Sequence, residues 1–231
     1  MAGFNPLAFA RTYLGFMAEG PQADVLERAP KYRVIALNCS RQWGKSTVAA
    51  VLAVARLLAR PGVTVLLVGP VARQSGETLL KVRHFLKVLG VKVGTDKVNE
   101  DSAVLPNGSR IIGLPAMKDT VRGYSAVSML IIDEAAFVDD DVYLALRPSL
   151  AVLNGDLILL STPNGRRGFF YREMISDRPG VLRHTGPVTE CTHISEEFLA
   201  EERAQGESHF QQEYMCEFVE TGRYPFDEAL A

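Results

Sequence analysis

Residues 34–47 read VIALNCSRQWGKST, and this stretch decides the fold. Its first half is apolar, as expected of a buried strand, and its second half passes through Gly44, Lys45 and Ser46 into a run of strong helix formers at 45–60. A strand, a short loop and a helix N-terminus in this order are typical of a phosphate-binding loop, whose backbone N–H groups surround a pyrophosphate. The pattern predicts ATP binding, with Lys45 at the β- and γ-phosphates and Ser46 holding Mg²⁺.

One position departs from the usual G-x-x-x-x-G-K-[ST] pattern, because Cys39 occupies the place of the first glycine. A residue with a Cβ there indicates a loop that needs no positive φ at this point, or a variant family. Arg41, inside the loop, is a candidate for neutralising the charge that builds on a transferred phosphoryl group. The residues predicted to contact the nucleotide are Ser40, Arg41, Gln42, Trp43, Gly44, Lys45, Ser46 and Thr47.

A second motif follows the apolar run SMLII at 128–132, which ends in Asp133 and Glu134. A carboxylate at the tip of a parallel strand can order a Mg²⁺ shell, and the next carboxylate can polarise an attacking water. We therefore predict that Asp133 binds the metal and that Glu134 is the general base. An acidic helix cap would have the same sequence, but the phosphate loop upstream favours the catalytic interpretation.

Two further signals concern the γ-phosphate. The apolar run at 157–160 ends in Ser161, Thr162 and Pro163, whose hydroxyls can hydrogen-bond the γ-phosphate or the water-orienting carboxylate, although the segment also reads as a turn. Arg122, in the segment TVRGY, is a second candidate for charge neutralisation. For both arginines, a solvated surface position is the alternative.

The composition allows one good-sized core, since 47% of the 231 residues are apolar. A formal charge of −2 and a pI near 6.1 mean that any nucleic-acid contact must come from a local patch. Three cysteines without ligand spacing predict neither a disulfide framework nor a zinc site, and indicate a reducing compartment. The sequence shows neither a signal peptide nor a membrane span, so we expect a soluble intracellular protein without a membrane partner.

Strands and helices alternate from residue 33 onwards, which predicts an α/β fold with a mainly parallel sheet sandwiched by helices. The pattern changes at 92–114 around the turn Pro106-Asn107-Gly108, so we expect an antiparallel hairpin inserted at one sheet edge. Helices are predicted at 7–17 and 22–29 before the sheet, and at 196–202 and 207–217 after it. The predicted units are a helical lead-in at 1–30, an ATPase core at 31–190 and a helical subdomain at 191–231.

Taken together, the segments at 39–47, 130–136 and 161–165 resemble the large terminase subunit of tailed bacteriophages, over about residues 22–226. The resemblance implies a P-loop NTPase fold of the RecA/helicase-like ASCE type. It also makes Cys39 an expected feature, because the family's loop often reads S-R-Q-x-G-K-[ST]. By resemblance, Asp133 and Glu134 are the magnesium and catalytic carboxylates. Residues 161–163 match the motif that couples hydrolysis to DNA movement.

The resemblance extends to three other side chains. Arg41 matches the family's loop arginine, and Arg122 lies in an R-G segment similar to one that some members project into a neighbouring subunit. Gln22 resembles the glutamine that reads the adenine edge, although a glutamine near a helix start is often an ordinary surface residue.

The function implied by the resemblance is that of an Mg²⁺-dependent ATPase motor that drives double-stranded DNA into a procapsid. Its implied partners are DNA, the portal protein, the small terminase subunit and further copies in a ring, with an isolated domain expected to be monomeric. The implied location is the host cytoplasm, with transient docking on the procapsid. The chain stops near 222–227, where the family has a linker to a nuclease domain, so no nuclease activity is expected. Candidate DNA contacts are the basic helix from Arg73 to Lys87 and the loop at 166–168.

Two other classes stay open. A superfamily 2-type helicase or translocase shares the D-E-A-x pattern but normally needs a second ATPase-like domain. A non-catalytic ATP-binding module would have no use for Glu134.

Overall fold

The computed structural model describes residues 4–96 and 101–220, and its centre is a sheet of seven strands within those residues. The strand order is β3-β4-β2-β5-β6-β1-β7, and all neighbours are parallel except β3 and β4. The mainly parallel sheet predicted from the sequence is therefore confirmed. The strands are β1 (Val34–Cys39), β2 (Thr64–Gly69), β3 (Ser102–Val104), β4 (Arg110–Pro115), β5 (Val127–Asp133), β6 (Asp156–Ser161) and β7 (Val181–Gly186).

Helices cover both faces of the sheet, as predicted. Apolar side chains of the first four helices form one buried cluster against one face, and those of α6 and α7 form a second cluster against the other. No helix in the described ranges has both the length and the apolar composition needed to cross a bilayer. The helices are α1 (Pro6–Tyr13), α2 (Gly20–Arg28), α3 (Lys45–Ala59), α4 (Ala72–Val88), α5 (Lys118–Val121), α6 (Asp140–Leu146), α7 (Gly168–Ile175), α8 (Glu196–Ala204) and α9 (Glu207–Glu213).

The antiparallel hairpin predicted at a sheet edge is present as β3 and β4, which pair from Ser102 with Ile112 to Val104 with Arg110. Its second strand also pairs in parallel with β2, so the hairpin extends the main sheet. The first helix ends at Tyr13 rather than near residue 17, because Gly15 adopts a left-handed φ of +66° that no α-helix accommodates. The predicted linker start at 222–227 lies outside the described residues.

The register of the central strands fixes where the functional segments meet. Strand β6 lies between β1 and β5, with Asn38 opposite Ser161 and Asp133 opposite Leu160. The phosphate loop follows β1 and the acidic pair follows β5. Both therefore lie at the carboxyl end of the parallel strands, about 10 Å apart. Ser161, at the end of β6, lies between them.

Candidate active site

The loop between β1 and α3 is built to present backbone donors. Gly44 adopts a left-handed φ of +91° immediately before α3, and a Cβ there would lie 2.7 Å from the Gln22 amide nitrogen. Within the described chain, the N–H groups of Gly44, Lys45 and Ser46 make no hydrogen bond. Unpaired N–H groups at the N-terminus of a 15-residue helix form a site for an anion such as phosphate.

Lys45 is the buried cation of this loop. It is only 7% exposed, and Glu134 Oε1 lies 3.8 Å from its ammonium nitrogen. A buried ammonium with so distant a carboxylate is well placed to take an anionic ligand, because desolvation makes an under-compensated charge costly.

The acidic pair after β5 is held by hydrogen bonds. Asp133 is 4% exposed, and its two carboxylate oxygens accept from Thr78 Oγ1 at 2.6 Å and from the Glu134 N–H at 3.0 Å. Burial raises the pKa of Asp133, while the Thr78 hydrogen bond and the nearby Lys45 oppose that rise. Glu134 turns into the cleft through a left-handed φ of +51°, and its Oε2 accepts from Ser161 Oγ at 3.3 Å.

The donor set fits Mg²⁺. This ion prefers oxygen ligands and is commonly held by one or two carboxylates together with substrate phosphates and waters. Asp133 offers carboxylate oxygens that retain lone pairs beyond their two hydrogen bonds, and Ser46, which lines the cleft, offers a hydroxyl. These two residues would hold the ion.

A cleft of about 660 Å³ runs between the loop and α4. Seven of the residues predicted for the site lie around it, which shows that distant parts of the sequence meet at one place. A further four residues were not predicted from the sequence. The lining residues are Arg41, Gln42, Gly44, Lys45, Ser46, Thr47, Gln74, Glu77, Lys81, Glu134 and Phe137.

Three residues predicted to contact the nucleotide do not line this cleft. The Ser40 side chain is fully buried beside Cys191, at 3.8 Å between oxygen and sulfur. Trp43 is 2% exposed, and its indole N–H donates to Glu190 at 2.6 Å. Gln22 donates to the Trp43 carbonyl at 2.6 Å. The Ser40 and Trp43 side chains are therefore packed inside the protein, and these two positions can serve a ligand in the cleft only through their backbone.

The two candidate arginines differ in position. Arg41 lines the cleft, and its Nε donates at 2.8 Å to a carboxylate oxygen of Glu213, a buried residue at the end of α9. Arg122 follows α5 and is exposed, and it makes neither a hydrogen bond nor an ion pair with the described residues. The fold of a single chain therefore brings Arg41 to the site and leaves Arg122 outside it.

The segment after β6 connects the acidic turn to the C-terminal helices. Ser161 Oγ accepts from the Ala136 N–H at 3.1 Å, and Asn164 donates to the Ala136 carbonyl at 3.2 Å. Gly165 donates its N–H to the Gln212 side chain at 3.3 Å. Thr162 and Pro163 are buried within this segment. A displacement at Glu134 could thus reach α9 through direct contacts.

Helix α4 supplies the part of the site that sequence reasoning missed. Gln74, Glu77, Thr78 and Lys81 follow the i, i+3, i+4, i+7 spacing of one helical face, and that spacing of polar residues was the available signal. The basic pattern of α4 assigns Lys81 to a candidate DNA contact, whereas the structure places it in the cleft. Two other members of the basic candidates have partners within the chain: Arg83 donates to the Ser102 carbonyl, and Arg166 donates to the Phe218 carbonyl at 2.9 Å.

A phosphate loop after one strand, an acidic pair after another and a third strand between them define a P-loop NTPase of the ASCE class. Within that class, residues 36–229 match the family model described as terminase large subunit, T4likevirus-type, N-terminal. The chain belongs to this family, which confirms the resemblance inferred from the three sequence motifs.

Individual relatives agree with this assignment. The large terminase subunits of Thermus phage G20c and Thermus virus P23-45 are each 26% identical to the chain, over 89% of it and 50% of their own length. The chain thus spans about half the length of these curated relatives. Among solved structures, the large terminase ATPase domain of Thermus phage P74-26 has a TM-score of 0.80 at 23% identity, covering 91% of this chain and 97% of that one. The HK97 bacteriophage large terminase has a TM-score of 0.76 at 17% identity, covering 92% and 54%.

Proposed function

We propose that this chain is the ATPase domain of a phage DNA-packaging motor, which hydrolyses ATP with Mg²⁺ to move double-stranded DNA into a procapsid. The observation that carries the proposal is that Lys45 and Glu134 line one cleft with the buried Asp133 directly beside Glu134, and that Thr78 and Ser161 hydrogen-bond the two carboxylates. Membership of the large terminase family supports the same activity.

Each residue has a defined task in this proposal. Lys45 and the loop N–H groups bind the phosphates, and Glu134 takes a proton from the attacking water. Ser46 and Asp133 hold Mg²⁺, which when bound supplies positive charge next to the phosphate oxygens. Arg41 adds a guanidinium from within the chain, and Arg122 is free to act on a neighbouring copy.

The coupling role predicted for residues 161–163 has support from geometry. Ser161 contacts the Glu134 carboxylate, and the same segment continues to Gln212 on α9. A change at Glu134 on hydrolysis would therefore pass through Ser161 to the C-terminal helices.

Partners and location follow from the family alone. We propose DNA, the portal protein, the small terminase subunit and further copies of the chain in a ring as partners, in the host cytoplasm and docked on the procapsid. Since a motor must move over any sequence, DNA binding should be directed at the backbone and weaken with salt. Gln22 remains a proposed adenine contact, although its amide donates to the loop.

The decisive test is Glu134→Gln. Removing the base should lower ATP turnover by about 10²- to 10⁴-fold while nucleotide affinity stays close to that of the wild type. Phosphate release gives the turnover, and calorimetry with ADP gives the affinity. Glu77→Gln is the matched control, because Glu77 is an exposed carboxylate at the rim of the same cleft and should leave turnover nearly unchanged.

Substantial turnover in the Glu134→Gln variant would reject the assignment of the base. A wild-type chain that binds ATP without hydrolysing it, with or without DNA, would instead support the non-catalytic module. The helicase alternative is not favoured by the family match, and a strand-separation assay on duplex DNA addresses it directly.

A further inference from the structure

Four of the five charged side chains that line the cleft lie within 4 Å of an oppositely charged group. Arg41 bonds Glu213, Lys45 lies 3.8 Å from Glu134, and Glu77 lies 3.7 Å from Arg73. Lys81 differs, since its ammonium makes neither a hydrogen bond nor an ion pair with the described residues although it lines the same cleft. An unpaired cation inside a cleft, unlike one on an open surface, is a candidate for ligand binding.

The position of Lys81 on α4 aims it at the acidic pair. Thr78, one turn earlier, donates to Asp133 at 2.6 Å and so fixes this face of the helix against the tip of β5. Helical side chains lean toward the helix N-terminus. The long Lys81 side chain therefore extends toward the carboxyl end of the strands, where the cleft opens. Burial lowers the pKa of Lys81, and Asp133 and Glu77 oppose that shift. The side chain is thus half-buried in the cleft, close enough to Asp133 and Glu77 for both carboxylates to favour its charged form.

We propose that Lys81 is a second lysine ligand of the nucleotide, placed at the γ-phosphate. The strand order β2-β5-β6-β1 puts α4, which follows β2, on the far side of β5 from the phosphate loop. Phosphates that extend from the loop toward Glu134 therefore bring the terminal phosphate closest to α4. Lys45 approaches the triphosphate from the loop, and Lys81 approaches it from the opposite wall.

This assignment rests on the proposed ATPase function and adds to it a preference for nucleoside triphosphates over diphosphates. A lysine at the γ-phosphate strengthens binding of a triphosphate and contributes little to a diphosphate, because an ammonium acts as a local charge. Lys81 would then help the domain to distinguish ATP from ADP, which an ATP-driven motor needs in order to release its product. The competing role is a contact with a DNA phosphate, as the basic character of α4 had indicated.

The test compares Lys81→Met with Lys87→Met, an exposed lysine of the same helix that lies outside the cleft. Affinities for ADP and for the β,γ-imido analogue of ATP are measured by calorimetry with Mg²⁺, and KM and kcat by phosphate release. Lys81→Met should bind the triphosphate analogue about tenfold more weakly, with ADP affinity changed less than about twofold. Its KM for ATP should rise, Lys81→Arg should restore part of the loss, and Lys87→Met should match the wild type.

Other outcomes would distinguish a γ-phosphate contact from a DNA contact and from failure of the ATPase proposal. Equal weakening of both nucleotides, or no change in either, would overturn the γ-phosphate assignment. Weaker binding of double-stranded DNA with unchanged nucleotide affinities would establish the DNA contact instead. A wild-type chain that binds neither nucleotide would refute the proposed ATPase function itself. Thermal unfolding of each variant checks the fold, and Lys81→Gln replaces Lys81→Met in the same comparison if the latter does not fold.

Discussion

The two walls of the cleft are built in different ways. The loop wall, residues 40–47, faces the cleft largely with backbone N–H groups at the start of α3, and the side chains of Ser40 and Trp43 are buried behind it. The α4 wall, formed by Gln74, Glu77, Thr78 and Lys81, faces the cleft or the acidic pair with side chains. A backbone site depends on conformation, whereas a side-chain site depends on the identity of each residue.

This difference predicts where substitutions act. Changes behind the loop wall should act first on folding stability, since those side chains are packed and hydrogen-bonded. Changes at Thr78 and Lys81 on the α4 wall should act first on turnover or on nucleotide discrimination, whereas Glu77 at the exposed rim should matter little. The following predictions test this division, beginning with the largest effect.

Thr78→Val should lower turnover by about tenfold with a smaller change in nucleotide affinity. The substitution keeps the shape of the side chain but removes the 2.6 Å hydrogen bond to Asp133, so the carboxylate loses one of the groups that orient it. The same loss should raise the pKa of Asp133 further, because the Thr78 hydrogen bond lowers it. More of the carboxyl group is then protonated at a given acidic pH, and the acid limb of the kcat profile should move to higher pH.

Ser75→Ala is the control for this measurement. Ser75 is buried on the same helix, but its hydroxyl donates to the Ala72 carbonyl of its own turn. Its loss should leave turnover and the acid limb unchanged. If Ser75→Ala and Thr78→Val behave alike, α4 contributes through packing alone and the contrast between the walls fails.

The loop wall could be predicted from the sequence because the residues that define it are consecutive or adjacent along the chain. Gly44, Lys45 and Ser46 are consecutive, and the strand before them and the helix after them follow from hydrophobic pattern and propensity. The α4 wall could not be predicted in the same way, because a polar helical face next to a cleft looks like one next to solvent. Only the fold, which packs α4 against β2 and β4, shows that Thr78 meets Asp133 at the end of β5, 55 residues further along the chain.

The two arginines also show that contacts between distant parts of the chain could not be predicted from the sequence. The pattern placed Arg41 in the loop, but its partner Glu213 lies 172 residues away and has no signal in the sequence. Arg122 looked equally suitable from its neighbours, and the fold leaves it outside the cleft.

A double-mutant cycle on Arg41 and Glu213 should give a coupling free energy of unfolding of about 1 kcal/mol or less. The pair joins a buried carboxylate to a guanidinium whose side chain is 67% exposed, so solvent screens much of the attraction. The variants are Arg41→Met, Glu213→Gln and the double variant, measured by urea unfolding. Arg41→Met alone should be the more destabilising single change, because it leaves the buried Glu213 carboxylate without its partner, whereas Glu213→Gln removes the buried charge.

A coupling of zero would mean that Arg41 is not restrained by α9 in solution. A coupling of several kcal/mol would show instead that the pair is shielded from solvent. In the second case the loop wall would depend on a long-range side-chain contact as much as the α4 wall does, and the distinction between them would narrow.

The smallest effect is expected from thiol-directed reagents. All three cysteines lie behind the loop wall around Gly186: Cys39 is its register partner, Cys216 donates to its carbonyl, and Cys191 lies beside Ser40, whose N–H bonds the same carbonyl. Burial raises the pKa of each thiol, that of Cys216 to about 12. Iodoacetamide at pH 8 should therefore modify none of them in the folded chain and leave turnover unchanged, while mass spectrometry of the unfolded chain shows three additions.

The pH dependence of labelling distinguishes rigid packing from local opening. Folding raises these pKa values, so the unfolded chain loses its thiol protons first, and stability should fall as the pH rises above the ordinary thiol value of 9.0. Labelling by iodoacetamide should then increase with alkaline pH. ADP should slow it, because a ligand present at one hundred times its dissociation constant stabilises the folded state by about 2.7 kcal/mol. If Cys216 reacts readily at pH 8 regardless of ADP, the segment after α9 opens independently, and the loop wall lacks the rigid backing on which its backbone donors depend.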